Sequence, residues 1–479
     1  MKQRFSKIVL LFPPFSPGFK SKYGMPPLGV TYLATVLKNN KVKISIIDAQ
    51  MEGLTMDQIE ERIKKEKPDL LGISVFTQYF VLSKTIAERI KQVLPKTKIV
   101  FGGCHINSTK DETFKYTTAV DYLVYGEGEY ALLELVKGES LEKIKGLIYR
   151  DNNKIKINEP REFIENLNAL PYPDFNLIQN FNINFCNAPY ANKKPMISIL
   201  ASRGCPYNCA FCDIHHTNGR KLRLRSVDDV IEEIKYNIKK YNIKYVIFKD
   251  STFTINKKWI LDFCEKLIED NLKVGWHCNS RVDTLDEEML RLMKKAGCNN
   301  ISFGVESGSQ RILNLLRKRI TIRQIVKTFK ILNKVGVESH AAFIIGSPTE
   351  TLVDVKKTIF LAKKIKPTFA QFCKGVGYPN TAFYDMAVEK NLIDPYWYTK
   401  TTIVYGESYL IDPTFGGEIQ PNFDTEEWIK IAHRGFYLRP GYVLTAIKKV
   451  IKQPGFILSI ISMGSFFMRW MFQKEDLDE

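Results

Sequence analysis

The segment MISILASRGCPYNCAFC, from Met196 to Cys212, sets three cysteines directly after a short apolar run. The apolar residues predict a buried strand, and Arg203-Gly204 predicts a tight turn beyond it. Cys205, Cys209 and Cys212 follow with the spacing C-x-x-x-C-x-x-C. Three thiols on one strand-end loop indicate a metal centre, because soft thiolates bind both iron–sulfur clusters and zinc.

Two kinds of metal centre fit this cysteine loop. In a four-iron cubane (4Fe-4S), each thiolate holds one iron, and the fourth iron has no protein ligand. An open metal position of this kind is what catalysis requires. His215 lies three residues after Cys212 and could instead complete a Cys3His zinc site. The position after a strand favours the cluster, and a zinc-stabilised binding protein is the alternative.

Strand and helix patterns alternate downstream of the cysteine loop. The strand patterns lie at Met196–Ala201, Lys244–Phe248, Val274–Cys278, Asn300–Phe303, Glu338–Ile345 and Phe369–Phe372. Helix patterns fill the intervals, so the chain predicts a partial (β/α)6 TIM-like barrel over residues 195–400. The active sites of such barrels gather at the carboxyl ends of the strands.

A second alternation occupies residues 1–140 and predicts a doubly wound parallel sheet, a Rossmann-like α/β domain. Such sheets bind ligands beyond the carboxyl ends of their strands, where glycines let a backbone approach a large ligand. The strand-end residues here are Asp48, Ser74, Thr77, Gly102, Gly103, His105, Gly126, Gly128 and Glu129. Residues 141–194 lose the alternation and are predicted to be a linker. Residues 401–479 are predicted to be a helical C-terminal region.

Composition narrows the class of protein. The chain has 479 residues, 44% hydrophobic and 25% charged, as in folded globular proteins. Its formal net charge of +18 reflects a lysine-rich surface or attracts an anionic partner. The sequence lacks a nucleic-acid-binding motif with interleaved aromatics, so we expect no nucleic-acid partner. It also lacks an export signal, so we expect its nine cysteines to lie in the reducing cytoplasm.

The C-terminal region contains an apolar stretch, Gly455–Phe472, that follows Lys448, Lys449 and Lys452. An apolar helix beside a basic cluster is typical of a segment that lies in a membrane interface. The stretch therefore predicts peripheral membrane contact, and a helix packed on the protein's own core is the alternative.

The cysteine triplet, with Phe211 before its last member, resembles the signature of radical S-adenosylmethionine enzymes. The resemblance implies that the fourth iron binds the amino and carboxylate groups of S-adenosylmethionine. It implies that reductive cleavage of this ligand releases a 5′-deoxyadenosyl radical. It also implies that the ligand contacts lie at later strand ends, at Asp250, Ser251, Arg281, Glu306, Gly346 and Glu350.

The preceding sheet domain resembles the cobalamin-binding class of this family. The resemblance rests on Pro26-Pro27-Leu28-Gly29, Gly102-Gly103-Cys104-His105 and Gly126-Glu127-Gly128-Glu129. The D-x-H-x-x-G motif of other cobalamin proteins is absent, because Gln50 stands where the histidine would follow Asp48. This departure implies cobalt without a lower histidine ligand, and His105 is a further candidate for contact with the cofactor.

Together, the two resemblances imply a cobalamin-dependent enzyme that methylates an unactivated carbon of a small-molecule or lipid-like substrate. They also imply an electron donor such as flavodoxin or ferredoxin. The alternative within the family is an oxidative cyclase or rearrangement enzyme that acts on a tetrapyrrole, a lipid or a natural product.

Overall fold

The computed structural model describes residues 3–20, 24–152, 154–188, 191–400 and 416–444. The N-terminal part contains β1 Lys7–Phe12, α1 Leu28–Asn39, β2 Lys43–Asp48, α2 Ala49–Glu52, α3 Met56–Glu66, β3 Leu70–Ser74, α4 Phe80–Val93, β4 Lys98–Gly102, α5 Cys104–Thr109, α6 Thr113–Tyr116, β5 Tyr122–Val124, α7 Gly128–Lys137, β6 Leu147–Asp151 and β7 Lys154–Ile157. These strands form one sheet in the order β2-β1-β3-β4-β5-β6-β7.

The first five strands of this sheet pair in parallel, which confirms the predicted doubly wound architecture. The sheet continues past residue 140, because β6 pairs antiparallel with β5, and β7 pairs antiparallel with β6. The first part of the predicted linker is therefore a hairpin of the N-terminal sheet. Its strands are short and follow each other directly, so they carry no helix between them and break the alternation that marked the earlier units.

The second part contains β8 Met196–Ile199, β9 Ser202–Arg203, α8 Ile214–Asn218, β10 Arg223–Leu224, α9 Val227–Tyr241, β11 Tyr245–Phe248, α10 Lys257–Glu269, β12 Gly275–Ser280, α11 Glu287–Lys295, β13 Cys298–Glu306, α12 Gln310–Leu315, α13 Ile322–Val335, β14 Glu338–Ile345, α14 Leu352–Ile365, β15 Phe369–Lys374, α15 Ala382–Glu389 and α16 Thr425–Tyr437. Six of these strands form an all-parallel sheet in the order β15-β14-β13-β12-β11-β8. This is the predicted partial barrel.

The strands of this barrel have two different faces, as β14 shows. Ser339, Ala341, Phe343 and Ile345 are buried, while the residues between them are half-buried. Successive side chains of a strand point to opposite faces, so the buried set packs against the surrounding helices and the other set lines the barrel lumen.

Amphipathic helices cover the outer face. In α13, for example, Ile325, Phe329 and Leu332 are buried, and Thr321 caps its amino end by accepting a hydrogen bond from the Gln324 backbone N–H. Among the described residues, no helix combines the length and the apolar character needed to span a bilayer. The predicted interfacial stretch, Gly455–Phe472, lies outside the described residues.

Candidate active site

The cysteine loop begins where β9 leaves the barrel. β9 pairs antiparallel with β10, and Gly204 follows it with a φ of 88°. A Cβ atom on Gly204 would lie 2.0 Å from the Lys221 carbonyl oxygen, so only glycine fits this turn. Cys205 is buried, and its backbone N–H donates to the Gly219 carbonyl at 3.1 Å.

Backbone hydrogen bonds tie this loop to two distant parts of the barrel domain. The Ala210 N–H donates to the Leu316 carbonyl at 2.9 Å, and the Ala210 carbonyl accepts from the Phe383 N–H at 2.9 Å. The short link between Cys209 and Cys212 is a turn in which the Cys212 N–H donates to the Cys209 carbonyl at 3.2 Å. These hydrogen bonds hold the cysteine loop in a defined position within the barrel domain.

The cysteine thiols lie close enough to influence one another. Burial raises the pKa of Cys212 to about 12, and the charges of Cys209 and Cys205 act in the same direction. Burial also raises the pKa of Cys209, while Lys318 and Arg281 oppose this shift. Metal binding by these thiols must therefore release protons, and the nearby cations favour that release.

The zinc alternative requires donors that converge on one ion. Among the described residues, no three His, Cys, Asp or Glu side chains are gathered tightly enough to hold a single metal ion. Both ring nitrogens of His215 are buried, and neither has a hydrogen-bond partner within the described parts of the chain. A four-iron cubane does not require the three thiolates to converge on one ion, because each thiolate binds a separate iron.

A pair of cations borders the cysteine loop. The Arg281 guanidinium lies 3.6 Å from the Tyr207 ring centroid, and its Nη1 is 4.0 Å from Cys209 Sγ. Its Nε and Nη2 each donate to the Asp283 carboxylate at 3.0 Å, which fixes the planar group in place. Its Nη2 also donates to the Lys318 carbonyl at 2.7 Å.

Lys318 is the second cation of this pair, and the sequence analysis missed it. Its Nζ donates to Glu306 Oε1 at 2.7 Å and lies 5.7 Å from the Phe211 ring centroid. Burial opposes its charge, but Glu306 and Cys209 raise the pKa of Lys318 above its usual value. Glu306, predicted to contact S-adenosylmethionine, has a φ of 65° beside a register shift between β13 and β14.

The Asp250 carboxylate binds the segment that precedes the cysteine loop. Its side chain is fully buried and accepts from the Ala201 N–H at 3.2 Å and from the Ser202 hydroxyl. Burial raises the pKa of Asp250 to about 6. Both oxygens accept hydrogen bonds from the segment that leads to Cys205, and the predicted contact of Asp250 with S-adenosylmethionine stays a prediction. The next residue, Ser251, is exposed.

The predicted contacts at Gly346 and Glu350 form a closed turn after β14. Glu350 Oε2 accepts from the Gly346 and Ser347 N–H groups at 2.7 and 3.0 Å. Gly346 has a φ of 95°, which favours glycine. Glu350 Oε1 is buried without a hydrogen-bond partner in the described structure, and burial raises the pKa of Glu350 to about 7.

The carboxyl ends of the N-terminal strands form an open edge. A Cβ atom on Gly29 or Gly126 would meet nothing within 4 Å, so these positions leave space for a ligand. Gly102 and Gly103 form the turn into α5, and a Cβ atom on Gly103 would lie 2.8 Å from the Val75 carbonyl oxygen, so this glycine lets two backbone segments pack closely. The open glycine edge fits a large flat cofactor such as cobalamin.

Asp48 and Gln50 lie at the same edge. Asp48 is buried and caps α2 by accepting from the Met51 N–H at 3.0 Å. Burial raises the pKa of Asp48 to about 7. Gln50 Oε1 accepts from the Phe15 N–H, while Gln50 Nε2 is buried and has no acceptor in the described part of the chain. This spare donor fits a polar group of a bound cofactor.

His105 is less accessible than the sequence suggested. Its side chain is 1% exposed, with its ring centroid 4.5 Å from that of Phe80 and 5.4 Å from that of Tyr398. Its Nδ1 lies 3.4 Å from the Thr77 hydroxyl, and burial lowers the pKa of His105 to about 3. The aromatic packing encloses the ring that was predicted to contact the cofactor, so His105 is a packed residue of the loop.

Buried ion pairs join the two domains beside the cysteine loop. Arg203 donates to Glu127 Oε1 at 3.1 Å through Nη1 and to Glu129 Oε1 at 2.6 Å through Nη2. Arg223 Nη1 donates to Glu127 Oε2 at 2.9 Å. We call these four residues the interdomain seam. Glu129, predicted to contact a cofactor, and Glu127, which the sequence analysis left without a role, hold the strand that precedes Cys205.

The Asn107 side chain bridges the loop that contains Gly126, in the N-terminal domain, to α8, the helix that follows the cysteines. Asn107 Oδ1 accepts from the Gly126 N–H at 2.7 Å, and Asn107 Nδ2 donates to the Thr217 hydroxyl at 3.1 Å. Gly128 begins α7 directly behind this bridge. The structure therefore holds the glycine edge of the sheet next to the cysteine loop of the barrel.

Comparisons with known proteins agree with this geometry. Residues 199–362 match the family model of the radical SAM superfamily, and residues 18–136 match that of the B12 binding domain. An uncharacterized methyltransferase of Pyrococcus horikoshii is 34% identical over 94% of this chain and 96% of its own. An anaerobic magnesium-protoporphyrin IX monomethyl ester cyclase of Rubrivivax gelatinosus is 29% identical over 78% of this chain and 68% of its own.

A solved structure shares the architecture of both domains. The cobalamin-dependent S-adenosylmethionine radical enzyme OxsB, with aqua-cobalamin and S-adenosylmethionine bound, superimposes with a TM-score of 0.72 at 19% identity. The match covers 98% of this chain and 72% of that one. The chain therefore belongs to the cobalamin-binding radical S-adenosylmethionine enzymes, whose cofactors are a 4Fe-4S cluster, S-adenosylmethionine and cobalamin.

Proposed function

We propose that this enzyme transfers a methyl group to an unactivated carbon of a small-molecule or lipid-like substrate. The observation that carries the proposal is the interdomain seam, which fixes the glycine edge beside the cysteine loop. When bound, the cluster and cobalamin supply reductive cleavage of S-adenosylmethionine and a carrier for the methyl group. An enzyme that uses both must hold its two cofactor sites close together.

In this proposal, the chain's own residues bind and orient the cofactors. Cys205, Cys209 and Cys212 hold the cluster, while Arg281 and Lys318 offset its negative charge. Gly29 and Gly126 leave room for the corrin ring, while Gly103 allows the close backbone packing of the turn beside them. The two-domain contact keeps water from the reacting groups, because its buried ion pairs and backbone bridges close one side of the site.

Anaerobic reconstitution tests this proposal. The full chain should bind iron, sulfide and cobalt, absorb near about 400 nm and release 5′-deoxyadenosine from S-adenosylmethionine. Cys209→Ala should lose both the absorbance and the release. Cys264→Ala, which changes a buried cysteine of the outer core, is the matched control and should keep both. A Cys209→Ala protein that still releases 5′-deoxyadenosine contradicts the assignment.

A second candidate function is oxidative cyclisation, which the likeness to the Rubrivivax cyclase favours. Product mass separates the two functions. Methyl transfer adds one methylene to the substrate in each turnover, whereas cyclisation removes hydrogen and adds no carbon.

A peripheral membrane contact of the C-terminal region would suit a lipid-like substrate. Sedimentation of the full chain and of a chain ending at residue 444 with anionic vesicles tests that contact.

A further inference from the structure

The lumen face of the barrel contains polar residues that the function described so far does not use. On β11, Val246 and Phe248 belong to the outer core, and the Phe248 ring centroid lies 4.3 Å from that of Phe253. Lys249 directly follows this strand between two buried residues, and it is itself exposed. The alternation of the strand therefore directs Lys249 into the open lumen, opposite the outer core.

Two histidines share this face. Ile247, two residues before Lys249, is in register with His277 of β12, and His277 is 1% exposed. His340 of β14 belongs to the half-buried face of its strand. The two histidines flank β13 on this face, because His277 is in register with Asn300 and His340 is in register with Ser302, two residues further along that strand. Burial lowers the pKa of His277 to about 3, and the charges of His340 and Lys249 act in the same direction. We call Lys249, His277 and His340 the lumen cluster.

Neighbouring side chains orient the two histidines. His277 Nδ1 lies 3.1 Å from Asn300 Oδ1, and His340 Nδ1 lies 3.1 Å from Ser302 Oγ. Asn300 is fully buried, and its Nδ2 has no hydrogen-bond partner among the described residues. A buried donor without an acceptor costs free energy, so the lumen offers an N–H group that a bound ligand can satisfy.

The lumen cluster lacks a matching carboxylate in the described parts of the chain. Lys249 forms no ion pair there. Its side chain is accessible to water, but the protein atoms around its ammonium displace part of its hydration and lower its pKa. The nearby acids are engaged elsewhere, since Asp250 binds Ser202 on the opposite face and Glu306 binds Lys318. Glu338 also lies on this face, in register with Asn300, but Lys249 forms no ion pair with it in the described structure. The Lys249 ammonium and the Asn300 Nδ2 group therefore have no carboxylate partner within the described residues.

We propose that the lumen cluster binds an oxyanion, a carboxylate or a phosphate, carried by the methyl-acceptor substrate. Lys249 supplies the positive charge, and Asn300 Nδ2 supplies a directed hydrogen bond. This assignment rests on the proposed function, because the lumen is the substrate space only if radical chemistry occurs at its mouth. The cations beside the cysteine loop, Arg281 and Lys318, form a separate positive centre.

Trace acetylation of the reconstituted full chain tests the site without turnover. The rate at which acetic anhydride labels Lys249 is read by peptide mass spectrometry, with and without inorganic phosphate. Saturating phosphate should slow the labelling of Lys249 by about tenfold, since a bound anion holds the amine in its unreactive charged form. Exposed Lys239 of α9 is the control and should label equally in both.

Two results overturn the proposal. The first is equal labelling of Lys249 with and without phosphate, which removes the anion site. The second is protection of Lys249 by S-adenosylhomocysteine alone, which assigns the anion to the cosubstrate's carboxylate. Failure of the proposed function is seen separately, because it shows as missing iron or missing 5′-deoxyadenosine while phosphate protection can still be measured.

A variant gives an independent measurement. Lys249→Met should weaken phosphate binding to this site by about tenfold or more in isothermal titration calorimetry, and Lys249→Arg should keep most of it. Thermal unfolding checks that both variants fold. Equal phosphate affinity of wild type and Lys249→Met also overturns the proposal.

Discussion

The interdomain seam and the lumen cluster both contain positively charged side chains, yet these charges are balanced in different ways. In the seam, Arg203 and Arg223 share the two carboxylates of Glu127 and Glu129 at distances of 2.6 to 3.1 Å. In the lumen, His277 and His340 contact the Asn300 amide and the Ser302 hydroxyl, and Lys249 forms no ion pair in the described structure. Seam charges satisfy one another and hold the domains together, whereas the Lys249 ammonium has no carboxylate partner within the described residues.

This contrast separates residues that stabilise from residues that bind. Removing one partner of a buried ion pair leaves an uncompensated charge and is strongly destabilising. Removing a buried charge that has no protein partner relieves a desolvation cost. Stability measurements on the apo chain can therefore test the roles of the two regions before a substrate is known.

The largest effect is expected at the centre of the seam. Glu127→Ala should lower the free energy of unfolding by about 3–5 kcal/mol, because it leaves two buried guanidinium groups without their shared carboxylate. The Ile164 N–H, which donates to Glu127 at 2.6 Å, also loses its acceptor. Denaturant titration measures the change. Glu162→Ala at the exposed pair with Lys145 is the control and should change little. Equal free energies of unfolding for the two variants would show that the ion pairs of the seam do not stabilise the folded chain.

A buried acid at the barrel rim should respond to pH. Burial raises the pKa of Glu350 from 4.5 to about 7, so between these values the folded chain holds a proton that the unfolded chain has lost. This contribution to stability is full below pH 4.5 and is lost as the pH rises to about 7, by about 2–4 kcal/mol. Glu350→Gln should flatten this part of the stability–pH curve.

Glu389→Gln, at an exposed position of α15, is the control for that experiment and should follow the wild-type curve. Gln at position 350 keeps an oxygen that can accept from Gly346 and Ser347, so the closed turn is retained. If the Glu350→Gln curve keeps the wild-type slope, Glu350 is ionised in the folded chain and the contrast between paired and unpaired buried charge weakens.

A smaller loss is expected when the seam keeps its charge but loses its geometry. Arg203→Lys should cost about 1–2 kcal/mol, because one ammonium cannot reproduce the two separate N–H contacts to Glu127 and Glu129. Chemical denaturation and cobalamin affinity of the full chain should both report the change. A substitution without effect on either would mean that total charge, and not the fork of the guanidinium, aligns the domains.

The smallest effect on stability is expected in the lumen. Lys249→Met should leave the free energy of unfolding unchanged or raise it slightly, because the lost ammonium has no carboxylate partner in the described structure. Thermal unfolding of the apo chain without added anions measures this. A clear loss of stability would reveal a protein partner for Lys249 and would make the lumen resemble the seam.

Much of the fold followed from local pattern. The alternation of strands and helices is a property of neighbouring residues, so both parallel sheets were predicted, with bounds within a few residues. The hairpin Leu147–Ile157 was missed because two short strands without an intervening helix lack that pattern. The signal for the lumen was present, since His277, Asn300 and His340 each interrupt the apolar residues of a different strand. A polar residue in a strand does not by itself show which face lines the lumen.

The candidate site was likewise predicted only in part from the sequence. The spacing of Cys205, Cys209 and Cys212 and the glycine at position 204 specify a metal-binding loop wherever the chain places it, because thiolate chemistry and a positive φ are local properties. The pairing of Arg203 with Glu127 spans 76 positions, and that of Glu306 with Lys318 depends on how β13 bends. Electrostatic partnership depends on distance through space, so only the folded chain could show which charges hold the protein together and which remain for a ligand.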